Sequence, residues 1–298
     1  MPDGSEAEAA AAGTVSTDYG AEYYGHYASE GVSYERNAYW LGFFRTIGDR
    51  LIEDFHPATT LDAGCAIGLL VEALRDRGVD ARGIDFSEFA VNHSREDIRP
   101  FLTVGSITEP LDMHYDLITC FEVVEHMSAA DADRAIVNLC AFTDEILLTS
   151  TPLHHRDPTH TNIHPQEYWT ERFARQGFIR DVDYDASYVA PWAALYRRSK
   201  APIHRVVADY DRAYARMQHE LQERNHLIVD QMRELVELRA RVDDLEAVTG
   251  WSRRKSVRLV MKVDRAVTKA APKGTARGRL LQKAVHTLDW FTRRPPAS

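Results

Sequence analysis

Residues 60–74, TLDAGCAIGLLVEAL, decide how the chain is read. The apolar run 61–63 carries an acid at Asp62 and breaks into Gly64, Cys65, Ala66, Ile67 and Gly68. Leu69, Leu70, Ala73 and Leu74 then recur at helical spacing, with Glu72, Arg75, Asp76 and Arg77 on the other face. The segment reads as strand, glycine turn, helix. Glycines at such a turn let backbone N–H groups approach a ligand that a Cβ would repel. A second strand over 81–84 ends in Asp85, 23 residues after Asp62. An acid at that distance is placed to meet the ribose hydroxyls of an adenine cofactor.

Two nucleotide readings compete. A dinucleotide site wants G-x-G-x-x-G, whereas the pattern here is D-x-G-x-x-x-G, and Asp62 would repel a pyrophosphate. An acid beside a glycine turn suits instead a cofactor with an ammonium and a sulfonium. The stretch resembles the first motif of the class I S-adenosylmethionine-dependent methyltransferases, D-x-G-x-G-x-G, with Ala66 at the middle glycine. The resemblance implies a Rossmann-like, seven-stranded doubly wound α/β sheet. It also implies that Asp62, Gly64, Cys65 and Gly68 line the amino acid end of S-adenosylmethionine, with Asp85 and the adjoining Phe86 at the ribose.

The 298 residues are 44% apolar with a mean hydropathy of −0.38, enough for a packed core. No window approaches the roughly 18 apolar residues of a spanning helix. The acidic, Ala-rich start lacks a basic opening and an apolar core, so 1–17 is expected to be a disordered tail and not a secretory signal. Cys65, Cys120 and Cys140 argue against a disulfide framework, and the cytoplasm is the expected compartment. The net charge of −9 is split: 251–298 hold 13 Lys/Arg against Asp264 and Asp289, leaving −20 on the rest. A basic tail on an acidic body suggests a separate partner for the tail.

An aromatic-dense segment, 19–40, precedes the first strand. Aromatics at this spacing most often form plain core. The family resemblance implies instead that this segment folds over the cofactor, with Tyr23, Tyr27 and Arg36 covering it and Arg36 meeting its carboxylate. An amphipathic helix is expected over 40–55, a helix capped at Ser87, and a third strand over 101–105. The family often has an Asp after that strand to bind adenine; Ser106 and Ile107 stand there. The run 115–127, YDLITCFEVVEHM, resembles the family's fourth-strand motif. It places Phe121 and Glu122 at the transfer mouth, with Glu125 and His126 a turn beyond.

A helix over 129–142 and a strand over 145–150 continue the alternation that calls for a parallel sheet. Next come His154, His155, His160 and His164 with Asp157 among them, but no strong ligand spacing, so no metal is expected. The loop lies at the ligand edge of the sheet. Its run D-P-T-H-x-N-x-x-P-x-x-Y-W resembles one in methyltransferases found with bacterial glycosyltransferases. His160 is the expected base for a substrate hydroxyl, with Asp157 or Glu122 as partner. A helix over 165–176 and strands over 178–184 and 187–197 complete the sheet with an antiparallel edge and close an 18–200 methyltransferase domain.

Beyond it, Val207, Tyr214, Leu221, Ile228, Leu235 and Val242 recur every seven residues. Tyr210, Met217, Arg224, Gln231, Leu238 and Leu245 occupy the partner position. This predicts a coiled coil over 203–249 that makes a homo-oligomer, against the plainer alternative of a helix folded back on the domain. Residues 251–298 pattern as basic amphipathic helices, fitting peripheral contact with an anionic membrane face better than nucleic acid. The expected activity is O-methylation of a sugar hydroxyl on a polysaccharide or lipid-linked glycan, using S-adenosylmethionine. The alternatives are a small-molecule O-methyltransferase of quinone or polyketide type, and a coiled-coil scaffold with a regulatory cofactor domain.

Overall fold

The computed structural model describes residues 19–26, 33–152, 157, 159–249, 258–259, 261–263 and 265–266. Two compact units divide between Tyr214 and Ala215. The first is a seven-stranded sheet with helices on both faces. Its strands are β1 (Thr59–Ala63), β2 (Asp80–Asp85), β3 (Leu102–Val104), β4 (Leu117–Phe121), β5 (Glu145–Thr149), β6 (Phe178–Arg180) and β7 (Ala194–Arg198). The order is β3-β2-β1-β4-β5-β7-β6. Strands β1 to β5 run parallel, and β7 is antiparallel to both of its neighbours. The antiparallel strand is thus second from the edge, and β6 outside it runs with the majority.

The helices are α1 (Ala21–His26), α2 (Ala38–Phe55), α3 (Leu69–Arg75), α4 (Glu88–Asn92), α5 (Ala129–Ala141), α6 (Gln166–Arg175) and α7 (Ile203–Thr249). Three begin at a side-chain cap. The oxygens of Asn37, Ser87 and Ser128 accept the N–H groups of Trp40, Ala90 and Asp131, satisfying donors that the first turn leaves open.

Side chains alternate across a strand, and both faces of this sheet are covered, so β5 reads as a continuous apolar run. Ile146 and Leu148 pack with Ile118 and Cys120 of β4 against Ala135, Ile136 and Leu139 of α5 and Trp169 and Phe173 of α6. Leu147 points the other way and joins Leu117, Leu195 and Ala81 beneath Ile47 and Leu51 of α2 and Val71 and Leu74 of α3. Each such aliphatic side chain, almost wholly removed from water, contributes about 1.5–3 kcal/mol.

The last two strands are shorter than the sequence pattern predicts. Asp181 ends β6 because its Oδ1 accepts the N–H groups of Asp183 and Tyr184, folding the chain into a turn. Residues 187–193 form a second irregular stretch before β7. The second unit contains most of α7, a helix of 47 residues that spans about 70 Å at 1.5 Å per residue. Its apolar heptad residues are exposed, from 36% at Tyr210 to 62% at Leu245. Most of the expected basic tail lies outside the described residues. Among the described residues no helix is long and apolar enough to cross a membrane.

The glycine turn is held by steric necessity. Gly64 has φ +87°, and a Cβ there would stand 2.2 Å from Cγ2 of Val123. Ala66, in the place of the family's middle glycine, also has positive φ, 48°. It has room for its methyl, so only the cost of the left-handed backbone, about 1–2 kcal/mol, falls on it. Gly64→Ala is expected to destabilise the protein by more than about 2 kcal/mol, through overpacking added to the same backbone cost. Ala66→Gly should leave stability unchanged or raise it. Urea unfolding midpoints test the pair, and equal shifts would contradict the steric account.

Candidate active site

The carboxyl ends of β1, β2, β4 and β5 converge on one edge, which is where ligands sit in doubly wound sheets. At the end of β2, the carboxylate of Asp85 accepts the Ala66 N–H on Oδ2 and the Ser87 N–H on Oδ1, both at 2.8 Å. That one side chain ties the glycine turn to the loop after β2. Asp62 lies behind it, accepting the Thr119 hydroxyl at 2.8 Å. Burial, opposed by that hydrogen bond and aided by the charge of Asp85, raises the Asp62 carboxyl to about 7. Burial also raises Asp85 above the usual carboxylate range, against the two N–H groups that favour its charge.

The aromatic N-terminal segment packs on this cradle. Tyr23 and Tyr24 are buried with Ile67, Leu69 and Ala90, and Tyr34 joins them. The Ser87 hydroxyl donates to the Tyr19 carbonyl at 2.6 Å. Tyr23, expected to cover the cofactor, packs beside the glycine turn, while Tyr27 lies outside the described residues. Arg36 is placed otherwise. Its guanidinium forks onto Glu72 of α3 at 2.8 and 2.9 Å, where Arg95 also reaches. The Glu72 side chain is only 2% exposed and needs those cations, so Arg36 is committed to anchoring the N-terminal segment and does not turn to the cradle.

Cys65 is likewise in the turn but not on its open side. Its side chain is buried against Gly83 of β2, where a Cβ would come within 2.6 Å of the sulfur, so only its backbone is left to line the cradle. Phe86 is 59% exposed and meets Tyr19 edge-on. The Ser106 hydroxyl bonds that of Thr108, and Ile107 is buried with its carbonyl held by the Asn138 amide. Phe121 is half-buried and packs against the core cluster that includes Leu117 and Leu147.

Glu122 turns the chain off β4. It has φ 53°, its N–H donates to the Thr149 carbonyl and hydroxyl, and its Oε1 accepts the Trp192 indole N–H at 2.7 Å. Such a backbone conformation in a non-glycine residue costs energy and persists only where its surroundings hold it. A turn further, the Glu125 carbonyl accepts the N–H groups of Thr161 and Asn162, and the Asn162 amide donates to the Val124 carbonyl. These bonds fix the 159–164 loop against the end of β4.

His160 is thereby brought beside His126, with ring centres 4.5 Å apart. Asp157 stands behind both. Its Oδ2 is 3.8 Å from His160 Nε2, and its Oδ1 accepts the Thr159 hydroxyl at 2.6 Å. The Thr159 oxygen lies 2.8 Å from His126 Nδ1. Burial, with His160 nearby, lowers the His126 pKa to about 4, so the ring is neutral near pH 7. His164 stacks on Tyr168 and bonds Asn162, outside this group. His154 and His155 lie outside the described residues. A cavity of about 410 Å³ opens beside the group, lined by Pro152, His160, Thr161, Ile163, His164 and Pro165. The Asp157–Thr159–His126 relay and the buried Glu125 went unnoticed in the sequence as parts of one group; the E-H pair at 125–126 and the D-P-T-H run were their signal.

Residues 34–181 match the family model described as a methyltransferase domain. That stretch is a class I S-adenosylmethionine-dependent methyltransferase domain, and S-adenosylmethionine is its cofactor. Among curated proteins, the ubiquinone biosynthesis O-methyltransferase of Idiomarina loihiensis is 30% identical over 109 residues, covering 34% of this chain and 42% of that protein. That of Nitrosomonas europaea is 31% identical over 88 residues, covering 26% and 37%. The chain therefore spans well under half the length of these relatives. Among solved structures, a magnesium protoporphyrin IX methyltransferase from Synechocystis PCC 6803 with bound cofactor has a TM-score of 0.43 at 18% identity, covering 53% of this chain and 79% of that one.

The cradle fits such a cofactor: a turn kept free of Cβ atoms at Gly64 and Gly68 adjoins two buried carboxyls of opposite ends, Asp62 and Asp85. Asp62 also gives a pH test. Its folded pKa lies above the unfolded value near 3.9, so its contribution is fully present below pH 4 and is lost as pH rises through 7. Without cofactor, Asp62→Asn is expected to raise the melting temperature relative to wild type at pH 8 and not at pH 4. A difference independent of pH would show that Asp62 is not buried as a neutral acid.

Proposed function

We propose that the protein is an S-adenosylmethionine-dependent O-methyltransferase acting on a hydroxyl of a small-molecule acceptor. The observation that carries this is the meeting, at one sheet edge, of the Asp85-tied glycine turn with the His126–His160 pair and its open cavity. The ubiquinone biosynthesis relatives support the small-molecule acceptor. A sugar hydroxyl of a glycan is the second reading. It is favoured by α7, an extension that a small-molecule enzyme does not need.

Asp62, Gly64, Gly68 and Asp85 would hold the cofactor, which supplies an electrophilic methyl group on a sulfonium. The chain's own part is alignment and proton removal. Tyr19, Tyr23 and Tyr34 cover the cradle and exclude water. His160 accepts the acceptor's hydroxyl proton on a ring held beside Asp157, whose negative charge favours the imidazolium that results. Glu122, fixed by Trp192, forms the mouth on the β4 side.

Calorimetry on the full chain tests the cofactor half: Asp85→Ala is expected to weaken S-adenosylmethionine binding at least tenfold. His160→Ala should leave that affinity intact and lower methyl transfer to hydroxylated acceptors about 10²-fold. Binding without transfer to any phenolic or sugar acceptor would favour the scaffold reading.

The α7 seam is read as a homo-oligomeric coiled coil, since ten of its twelve heptad sites are apolar. Contact of 251–298 with an anionic membrane face would then bring several catalytic heads to one surface. Replacing Leu235 and Leu238 by Glu is expected to convert an oligomer to a monomer in sedimentation velocity. An unchanged sedimentation coefficient would remove the coiled coil from the account.

A further inference from the structure

We propose that Glu125, His126 and His160 form a binding site for a divalent transition-series cation, on which the acceptor hydroxyl is held. One ligand atom from each of the three lies within 4.8 Å of the other two. Neighbouring ligands about 2.1 Å from a common ion in tetrahedral or octahedral geometry stand about 3.0–3.4 Å apart, so closure needs movements of about an ångström. Side-chain rotation alone can supply that.

Three further observations point to a cation. Glu125 has no exposed surface; its Oε1 accepts the Thr151 N–H, and its Oε2 meets no N–H or hydroxyl donor, its side-chain neighbour being the carboxyl of Glu122. A buried carboxyl oxygen left without a donor costs free energy unless something electropositive completes it. Secondly, the tautomer of His126 is set. The Thr159 hydroxyl has one hydrogen, which it gives to Asp157 at 2.6 Å. Its oxygen must therefore accept from His126 Nδ1–H at 2.8 Å, which leaves the Nε2 lone pair facing inward, toward the Tyr23 hydroxyl 3.5 Å away. Thirdly, Asp157 backs both imidazoles, directly at His160 and through Thr159 at His126. A carboxylate behind a histidine is the arrangement that orients metal-ligating rings and makes them more basic.

Two imidazoles and one carboxylate suit manganese, iron, cobalt or zinc better than an all-oxygen cation site does. Three protein ligands leave positions open, and the cavity lined by His160 adjoins them. An acceptor hydroxyl bound there would have its pKa lowered by the ion and release its proton to solvent near neutral pH. The resulting oxygen anion forms its bond to the methyl carbon as the carbon–sulfur bond breaks, converting the sulfonium to a thioether. With the ion bound, His160 serves as its ligand and the ion takes over the activation that His160 supplies as base in the metal-free site; the reaction then favours acceptors with two neighbouring oxygens, which can chelate. The acceptor half rests on the methyltransferase reading; the metal half does not.

The test is titration of the full, chelator-treated chain with Mn²⁺ alone, followed by the paramagnetic resonance of free ion. One Mn²⁺ per chain is expected, with at least tenfold weaker uptake by His160→Ala and by Glu125→Gln. No uptake by the wild type, or equal uptake by both variants, overturns the site. Circular dichroism checks folding; if Glu125→Gln does not fold, His160→Ala at the cavity edge decides. S-adenosylmethionine binding measured without metal separates the two claims. Cofactor binding without Mn²⁺ uptake overturns the metal alone, and Mn²⁺ uptake without cofactor binding overturns the methyltransferase reading alone.

Discussion

Two backbone N–H groups on one buried carboxylate hold this edge of the molecule together. Asp85 accepts from Ala66 and Ser87, and by doing so fixes the turn after β1 to the turn after β2. Neither turn has regular structure of its own, and a charged acceptor strengthens each bond relative to a neutral one. Because the turn is fixed, Gly68 can start α3 with φ +72°, and α3 can lie flat on the sheet beneath α2. Because Ser87 is fixed, its hydroxyl is free to hold Tyr19 and with it the aromatic cover. The cofactor cradle is thus a consequence of one carboxylate's hydrogen bonds.

The other half of the candidate site is built by a different device. There the chain is held by main-chain bonds to the Val124 and Glu125 carbonyls, and the loop after β5 is drawn across to β4. Side chains from positions 125, 126 and 160 then share one small volume although they come from two crossovers. The two halves of the site meet at Tyr23, packed on the glycine turn and facing His126.

The fold was legible because its signals are local. An acid, a glycine turn and an amphipathic run sit in fifteen consecutive residues, and their φ requirements are those of the sequence pattern. The five parallel strands follow from apolar runs. The ends of β6 and β7 were not legible, because Asp181 closes a turn with two N–H groups that no periodicity announces. Side-chain direction was also hidden. Cys65 stands in the motif yet faces the core, and Arg36 carries the right charge yet is claimed by Glu72 on α3. The relay from Asp157 through Thr159 to His126 joins His126 to residues 31 and 33 positions further on, and only the folded chain puts them in line. That α7 is one long helix was legible from its heptad spacing, while what meets its apolar residues depends on another surface.

The contact between Cys65 and Gly83 has a historical consequence. The sulfur occupies the space where a side chain on β2 would begin, and Leu102 of β3 closes the remainder at 2.8 Å from the same point. Three residues from three strands or their turns therefore share one volume. A larger residue at position 83 is admissible only after position 65 or 102 has become smaller, so the order of changes matters as well as their sum. These three positions are therefore expected to vary as a set, and the glycine turn inherits its composition in part from the interior of the strands it packs on.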